Sequence, residues 1–276
     1  MSAFALKLIA LAAMLADHIG VVIQPLFIAQ YLRMFGRLCF PIFAFLVSES
    51  CDKTKNLEKY AARLGIFAIA SELPFDLFMG NAVRRIAEPP FIIVDFNSQN
   101  ALFTLFLGCL AIAAHKASQD GLLKILRPAV ITGVISMGYL LKTDYGAAGV
   151  LFIYIMHILP NGNRHAMQAA SAACMSFYFY ILVKMDWISL YYDYTRGFFR
   201  PQTLINLLSY AYMRLFSTVE PFHIKLFVCS ALASALIFLY SDERGRRHKW
   251  FFYGMYPAHL MLLAIIWIFT STLNGI

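Results

Sequence analysis

Residues 6–27 read LKLIALAAMLADHIGVVIQPLF, and this stretch decides the fold. It is long enough to cross a bilayer as a helix. Asp17 and His18 nevertheless stand side by side near its middle. An ionisable side chain at that depth costs roughly 2.5–3.5 kcal/mol on insertion scales, so the pair points to a polar interior that serves a function.

The rest of the chain supports a bilayer setting. Of 276 residues, 61% are hydrophobic and 14% charged, with a mean hydropathy of +0.67, whereas a soluble domain carries about 25% charged residues. The expectation is an all-α polytopic membrane protein of about nine transmembrane helices (range 8–10), with residues 1–276 forming one integral membrane domain. The first apolar run is too long for the core of a cleavable signal and is expected to stay as an anchor.

Predicted spans fall at 5–27, 35–48, 60–78, 100–114, 128–141, 146–159, 167–183, 226–240 and 250–273. A polar turn is expected around Gln30, and Pro41 should bend the second helix. The stretch 203–216 carries Arg214 and reads as interfacial or re-entrant. With nine spans and a cytoplasmic N-terminus, Lys53/Lys55/Lys59, Lys116/Lys124/Arg127, Arg164 and Arg244/Arg246/Arg247/Lys249 all fall inside, which satisfies the positive-inside rule. The net charge of +8 therefore sets orientation and does not signal nucleic-acid binding. The five cysteines are scattered singly and match neither a disulfide framework nor a metal site. No metal is expected, and no nucleotide-binding glycine pattern or hydrolase motif is present.

Several further polar residues lie in or beside the apolar runs: Arg37, Glu49, Arg63, Glu72, Asn100, Asp144, Tyr145 and His259. Histidine, carboxylate and guanidinium together suit proton transfer and the stabilisation of an oxyanion. Adjacent helical positions point about 100° apart, so Asp17 should not grip the His18 ring directly. Arg37 shares a cavity with the pair but is expected about two helical turns away along the hairpin. Plainer roles stand beside these. Asp17 can hold Arg37 in a salt bridge, Glu72 can repair the backbone near Pro74, Asp144 can cap a helix or form a turn, and His259 can be a packed interior group.

LKLIALAAMLADHIG, GRLCFPIFAFLVSES, TKNLEKYAARL, SELPFDL, NALFTLFLG, DYGAAGVL, YSDERG and FYGMYPAHLMLL follow one another over nearly the whole chain. As a set they resemble the TraX family, which is associated with N-terminal acetylation of conjugative pilin and is similar to multi-span membrane acyltransferases. The resemblance implies an acetyl-CoA-dependent O- or N-acetyltransferase of the bacterial inner membrane, multi-pass, acting on a pilin N-terminus or a surface glycan. His18 would be the catalytic base, or carry the acyl group transiently, with Asp17 orienting it. Arg37, Glu49, Arg63, Glu72, Asn100, Asp144, Tyr145 and His259 would bind substrate or line the cavity. The implied partners are the lipid bilayer, acetyl-CoA and the acceptor, with no nucleic acid. Two other classes remain open, a proton-coupled small-molecule transporter using Asp17, His18 and Glu72, and a non-catalytic scaffold for pilus or envelope assembly.

Overall fold

A computed structural model describes residues 1–23, 26–84, 86, 91–117, 121–160, 163–184, 221–243, 245–246 and 248–274. The predicted segment 203–216 lies outside them, as do Arg244 and Arg247. Among the described residues there is no strand, and the α-helices are α1 (Ala3–Val22), α2 (Leu26–Gly36), α3 (Cys39–Lys53), α4 (Leu57–Phe75), α5 (Asn81–Arg84), α6 (Ala101–Ala117), α7 (Gly121–Leu140), α8 (Gly146–Ile158), α9 (Arg164–Tyr180), α10 (Pro221–Phe238) and α11 (Lys249–Asn274), with a π-helical turn at Asp76–Gly80 and a 3-10 turn at Leu182–Lys184. The all-α expectation holds.

Ser2 caps α1, its hydroxyl accepting from the Ala5 amide at 3.3 Å. The buried stripe Leu6, Ala10, Met14 and His18 then repeats every four residues, so the helical period itself turns His18 inward. The polar turn expected at Gln30 is absent, because Gln30 lies inside α2, which packs back along α1. α2 and α3 together form one long apolar stretch over Phe27–Lys53, interrupted only at Arg37 and Leu38. The interruption has a local cause. Pro41 has no amide hydrogen to donate to the carbonyl four residues earlier, that of Arg37, and its ring crowds that carbonyl. The bend expected from Pro41 thus falls where Arg37 stands.

α3 is buried on nearly every face, from Phe40 to Cys51, and forms the centre of the bundle. α6 packs close to α8 at Gly108, where a β-carbon would come within 2.6 Å of Ile153. Ile66, Ile69, Leu262, Ile265 and Phe269 are exposed on the outer surface. That arrangement suits lipid and would be unfavourable in water.

Four segments are long and apolar enough to cross a membrane: Ala3–Val22, Phe27–Lys53, Leu57–Arg84 and Lys249–Ser271. α6, α8 and α10 are shorter apolar helices. α7 begins seven residues before the predicted position and carries Pro128 within it, a departure that neighbouring helices allow in a membrane bundle.

Two faces of the bundle are defined by contacts between helix ends. The Ala3 amide donates to the Glu243 carbonyl at 2.8 Å and the Ser241 amide to the Met1 carbonyl at 3.0 Å. The start of α1 therefore lies beside the segment joining α10 to α11, and Lys53 at the end of α3 reaches Asp242 there at 2.7 Å. At the opposite face the end of α1 meets the α2–α3 break. The turn before α8 is held there too, by bonds from the Gln99 amide to the Lys142 carbonyl (3.0 Å) and from the Asp144 amide to the Gln99 carbonyl (2.9 Å).

Candidate active site

The α2–α3 break aims Arg37 at α1. Its Nη2 donates to Asp17 Oδ1 at 2.5 Å and its Nε to the Arg33 carbonyl at 3.1 Å, while Arg33 Nε stands 3.7 Å from the same carboxylate oxygen. The expected two-turn offset between Arg37 and Asp17 is not observed. The chain re-enters a helix at Leu26, before the turn expected around Gln30, and α2 packs closely on α1 at Gly20, against Ala29 and Arg33, and at Gly36, against Asp17. Gly36 makes this possible, since a β-carbon there would lie 2.3 Å from that of Asp17. The salt-bridge role foreseen for Asp17 is thus present, and the carboxylate faces Arg37 and not the His18 ring.

His18 finds its partner on the last helix. Its Nδ1 lies 2.7 Å from Nε2 of His259, and His259 Nδ1 lies 2.6 Å from the Met255 carbonyl. Phe78 and Tyr256 meet the two rings edge-on, with centroids 5.9 Å and 5.7 Å away.

One cavity of about 490 Å³ lies against this cluster. Asp17, His18, Arg37, Glu49, Arg63, Asp144 and Tyr145 line it, so seven of the ten residues singled out in the sequence come together there. The other three stand outside its wall. Glu72 accepts from the side-chain amide of Asn100 and, at 3.3 Å, from its backbone amide. Asn100 also donates to the Ala68 carbonyl at 2.8 Å and accepts from the Leu102 amide at 3.0 Å, which ties α4 to the start of α6. Both act as structural ties. His259 does not line the cavity but stands behind His18 and Tyr256, which do. Asp144 lies in the turn before α8 and makes no side-chain cap on that helix, which has Tyr145 at its N-cap and Gly146, at φ +54°, as its first residue. Tyr145 stacks on Phe40.

The cavity continues to the other face, where Lys7, Lys53, Arg63, Arg246, His248 and Lys249 line it. Lys7, Arg246 and Lys249 make no ion pair among the described residues. Lys7 and the Arg246–Lys249 loop are visible in the sequence as charges flanking spans, but nothing in the local pattern assigns them to the chamber that holds His18. From the start of α1 to His18 is about fifteen residues, or roughly 22 Å of helix.

Glu49 borders the cavity and belongs to an ionic lattice. Lys53 bonds Glu49 at 2.8 Å, Gln168 donates to Glu49 at 3.1 Å, and Arg164 and Lys116 both pair with Asp52. Asp242 closes the lattice from the loop, holding Lys53 and, at 2.9 Å, His165. Hydrogen bonds from Lys53 and His165 keep the Asp242 carboxyl below the usual carboxylate range. No group of three or more histidine, cysteine, aspartate or glutamate side chains among the described residues is arranged to hold a metal ion.

The TraX protein family model matches residues 2–267. The chain belongs to the TraX family. It is also 25% identical over 273 residues to the probable fimbrial assembly protein FimC, serogroup H1, of Dichelobacter nodosus, covering 95% of this chain and 94% of that protein. No solved structure matches. In this TraX-family chain the match runs from α1 into α11, ending at residue 267, and so includes both ends of the cavity.

Proposed function

We propose that this protein is a bacterial inner-membrane acetyltransferase that moves an acetyl group from cytoplasmic acetyl-CoA to an amine or hydroxyl, with a pilin N-terminus or an envelope glycan as acceptor. One observation carries the reading: a single chamber joins an imidazole and a guanidinium at one end to Lys7, Arg246 and Lys249, which make no ion pair among the described residues, at the other. Family membership and the fimbrial assembly relative support the pilin-type acceptor.

Acetyl-CoA has a polyanionic head and a long thin arm ending in a thioester. The arm is equivalent to about five extended residues, roughly 17 Å, comparable to the run from Lys7 to His18. Lys7, Arg246 and Lys249 suit the phosphates at the mouth, and the thioester would then lie near His18 and Arg37. His18 Nε2 takes the proton from the acceptor as its nitrogen or oxygen attacks the carbonyl. Arg37 stabilises the oxyanion with donors left over from Asp17, the Arg33 carbonyl and Tyr180. Collapse breaks the carbon–sulfur bond, and the thiolate leaves with the proton as free CoA. The thioester is already activated, so alignment and water exclusion supply much of the rate.

Thiol release from acetyl-CoA by the detergent-purified protein, with and without a panel of amine and hydroxyl acceptors, tests the reading. Saturable turnover that His18→Ala reduces by about 10²–10⁴-fold supports it. If neither form binds acetyl-CoA, the proposal fails for that donor. A proton-coupled transporter remains the second reading because the cavity extends between the two faces past the half-buried Asp17–Arg37 pair. It predicts gradient-driven uptake into liposomes with no thioester requirement. A scaffold role predicts that conservative changes at His18 are silent.

A further inference from the structure

His18 and His259 are 241 positions apart in sequence, yet their nitrogens lie 2.7 Å apart. The two ring planes differ by 13° with centroids 4.9 Å apart. That separation equals the nitrogen–nitrogen contact plus the two ring radii, so the rings meet edge to edge in one plane and do not stack. An in-plane approach is the geometry in which an imidazole N–H points along its neighbour's lone pair.

The direction of the bond follows from its far end. The Met255 carbonyl can only accept, so His259 Nδ1 carries a hydrogen. His18 is 9% and His259 5% exposed, and neither ring has a carboxylate within ion-pair distance among the described residues. The charged side chains whose field reaches His18 are Arg37 and Arg33, and the neighbouring Asp17 is held by Arg37. With both rings neutral, His259 Nε2 must be an acceptor. His18 Nδ1 must then donate, which leaves the lone pair on His18 Nε2. No protein group among the described residues bonds that nitrogen, and His18 lines the cavity.

We propose that His259 is the positioning residue of His18: through the Met255 carbonyl it selects the Nδ1–H tautomer and presents Nε2 as the base. The proposal rests on the acyltransferase reading for the role of Nε2, but the tautomer itself does not. When Nε2 accepts the acceptor's proton, the Nδ1 hydrogen moves along the existing bond toward His259 Nε2. The charge is then shared by two rings until the thiolate takes a proton back. Phe78 and Tyr256 hold the rings in register.

Nitrogen NMR of the histidine-labelled full chain in lipid nanodiscs, assigned with His18→Ala, reads the tautomer directly. For the wild type the expected signature is a protonated Nδ1 and an unprotonated Nε2 on His18. His259→Gln keeps it, because the side-chain oxygen accepts in place of Nε2, whereas His259→Phe shifts His18 toward the Nε2–H form. In turnover, His259→Phe lowers kcat by about 10²-fold, the scale of a general base held wrongly, with KM for the thioester unchanged within about twofold, and His259→Gln restores most of it. A wild-type His18 protonated on Nε2, or a His259→Phe protein with wild-type kcat, overturns the proposal. If wild type shows no thioester turnover, the acyltransferase reading fails, and the nitrogen signature still decides the role of His259. If His259→Phe does not fold, the wild-type and His259→Gln spectra decide it.

Discussion

Asp17 and Arg37 meet across Gly36, with 2.5 Å between carboxylate and guanidinium and no room for a β-carbon beneath them. The pair is therefore both a tie between α1 and the α2–α3 break and the means by which a guanidinium is held at the cavity wall.

Gly36→Ala places a methyl group inside the Asp17 side chain, so α1 and α2 must separate. Overpacking of this kind costs about 1–3 kcal/mol. The expected result is a lower Tm in detergent together with loss of Arg37-dependent activity. An unchanged Tm would show that the helices separate without strain.

Removing one partner of the ion pair leaves a charge without its counter-ion. Asp17→Asn and Arg37→Gln should each destabilise by about 1–3 kcal/mol, between the cost for an exposed and for a fully buried pair, whereas the double variant should recover most of that loss. Thioester turnover should not recover with it, because the oxyanion donor is gone. Thermal unfolding and thiol release on the same three proteins separate the two effects. Recovery of both together would make Arg37 purely structural.

Charge reversal at the mouth should act on donor binding and leave the chemical step alone. Arg246→Glu and Lys249→Glu should each weaken acetyl-CoA binding by about tenfold or more, equivalent to 1.4 kcal/mol, with kcat at saturation unchanged. Added salt should reduce the difference between wild type and variant. An equal loss in kcat would move these residues away from the phosphates.

Asp242 has its carboxyl pKa lowered in the folded protein by Lys53 and His165. A lowered folded value means that its contribution to stability is complete above the ordinary aspartate range, about pH 4, and is lost as pH falls through the folded value. Tm of the wild type should therefore drop faster on acidification than that of Asp242→Asn. Parallel pH dependences would remove Asp242 as a contributor. The side chain is 60% exposed, so the effect is modest and salt-sensitive.

Much of the architecture is set by local pattern. Apolar runs of span length specify helices because the backbone must satisfy its own hydrogen bonds in lipid. The four-residue spacing of Leu6, Ala10, Met14 and His18 turns His18 inward, and Pro41 breaks the helix at Arg37, four residues earlier. These outcomes depend only on neighbours within a turn or two. Which interior groups share a chamber depends on how helices rotate and how closely they approach, and that is settled by contacts between residues far apart in the chain. Tertiary packing alone brought His259 to His18 and opened one cavity to both Lys7 and Arg37. It also turned Glu72 and Asn100 into a tie between α4 and α6, away from that cavity. Close approaches of α1 and α2 at Gly20 and Gly36 bring Asp17 level with Arg37, where counting residues along a hairpin places them two turns apart.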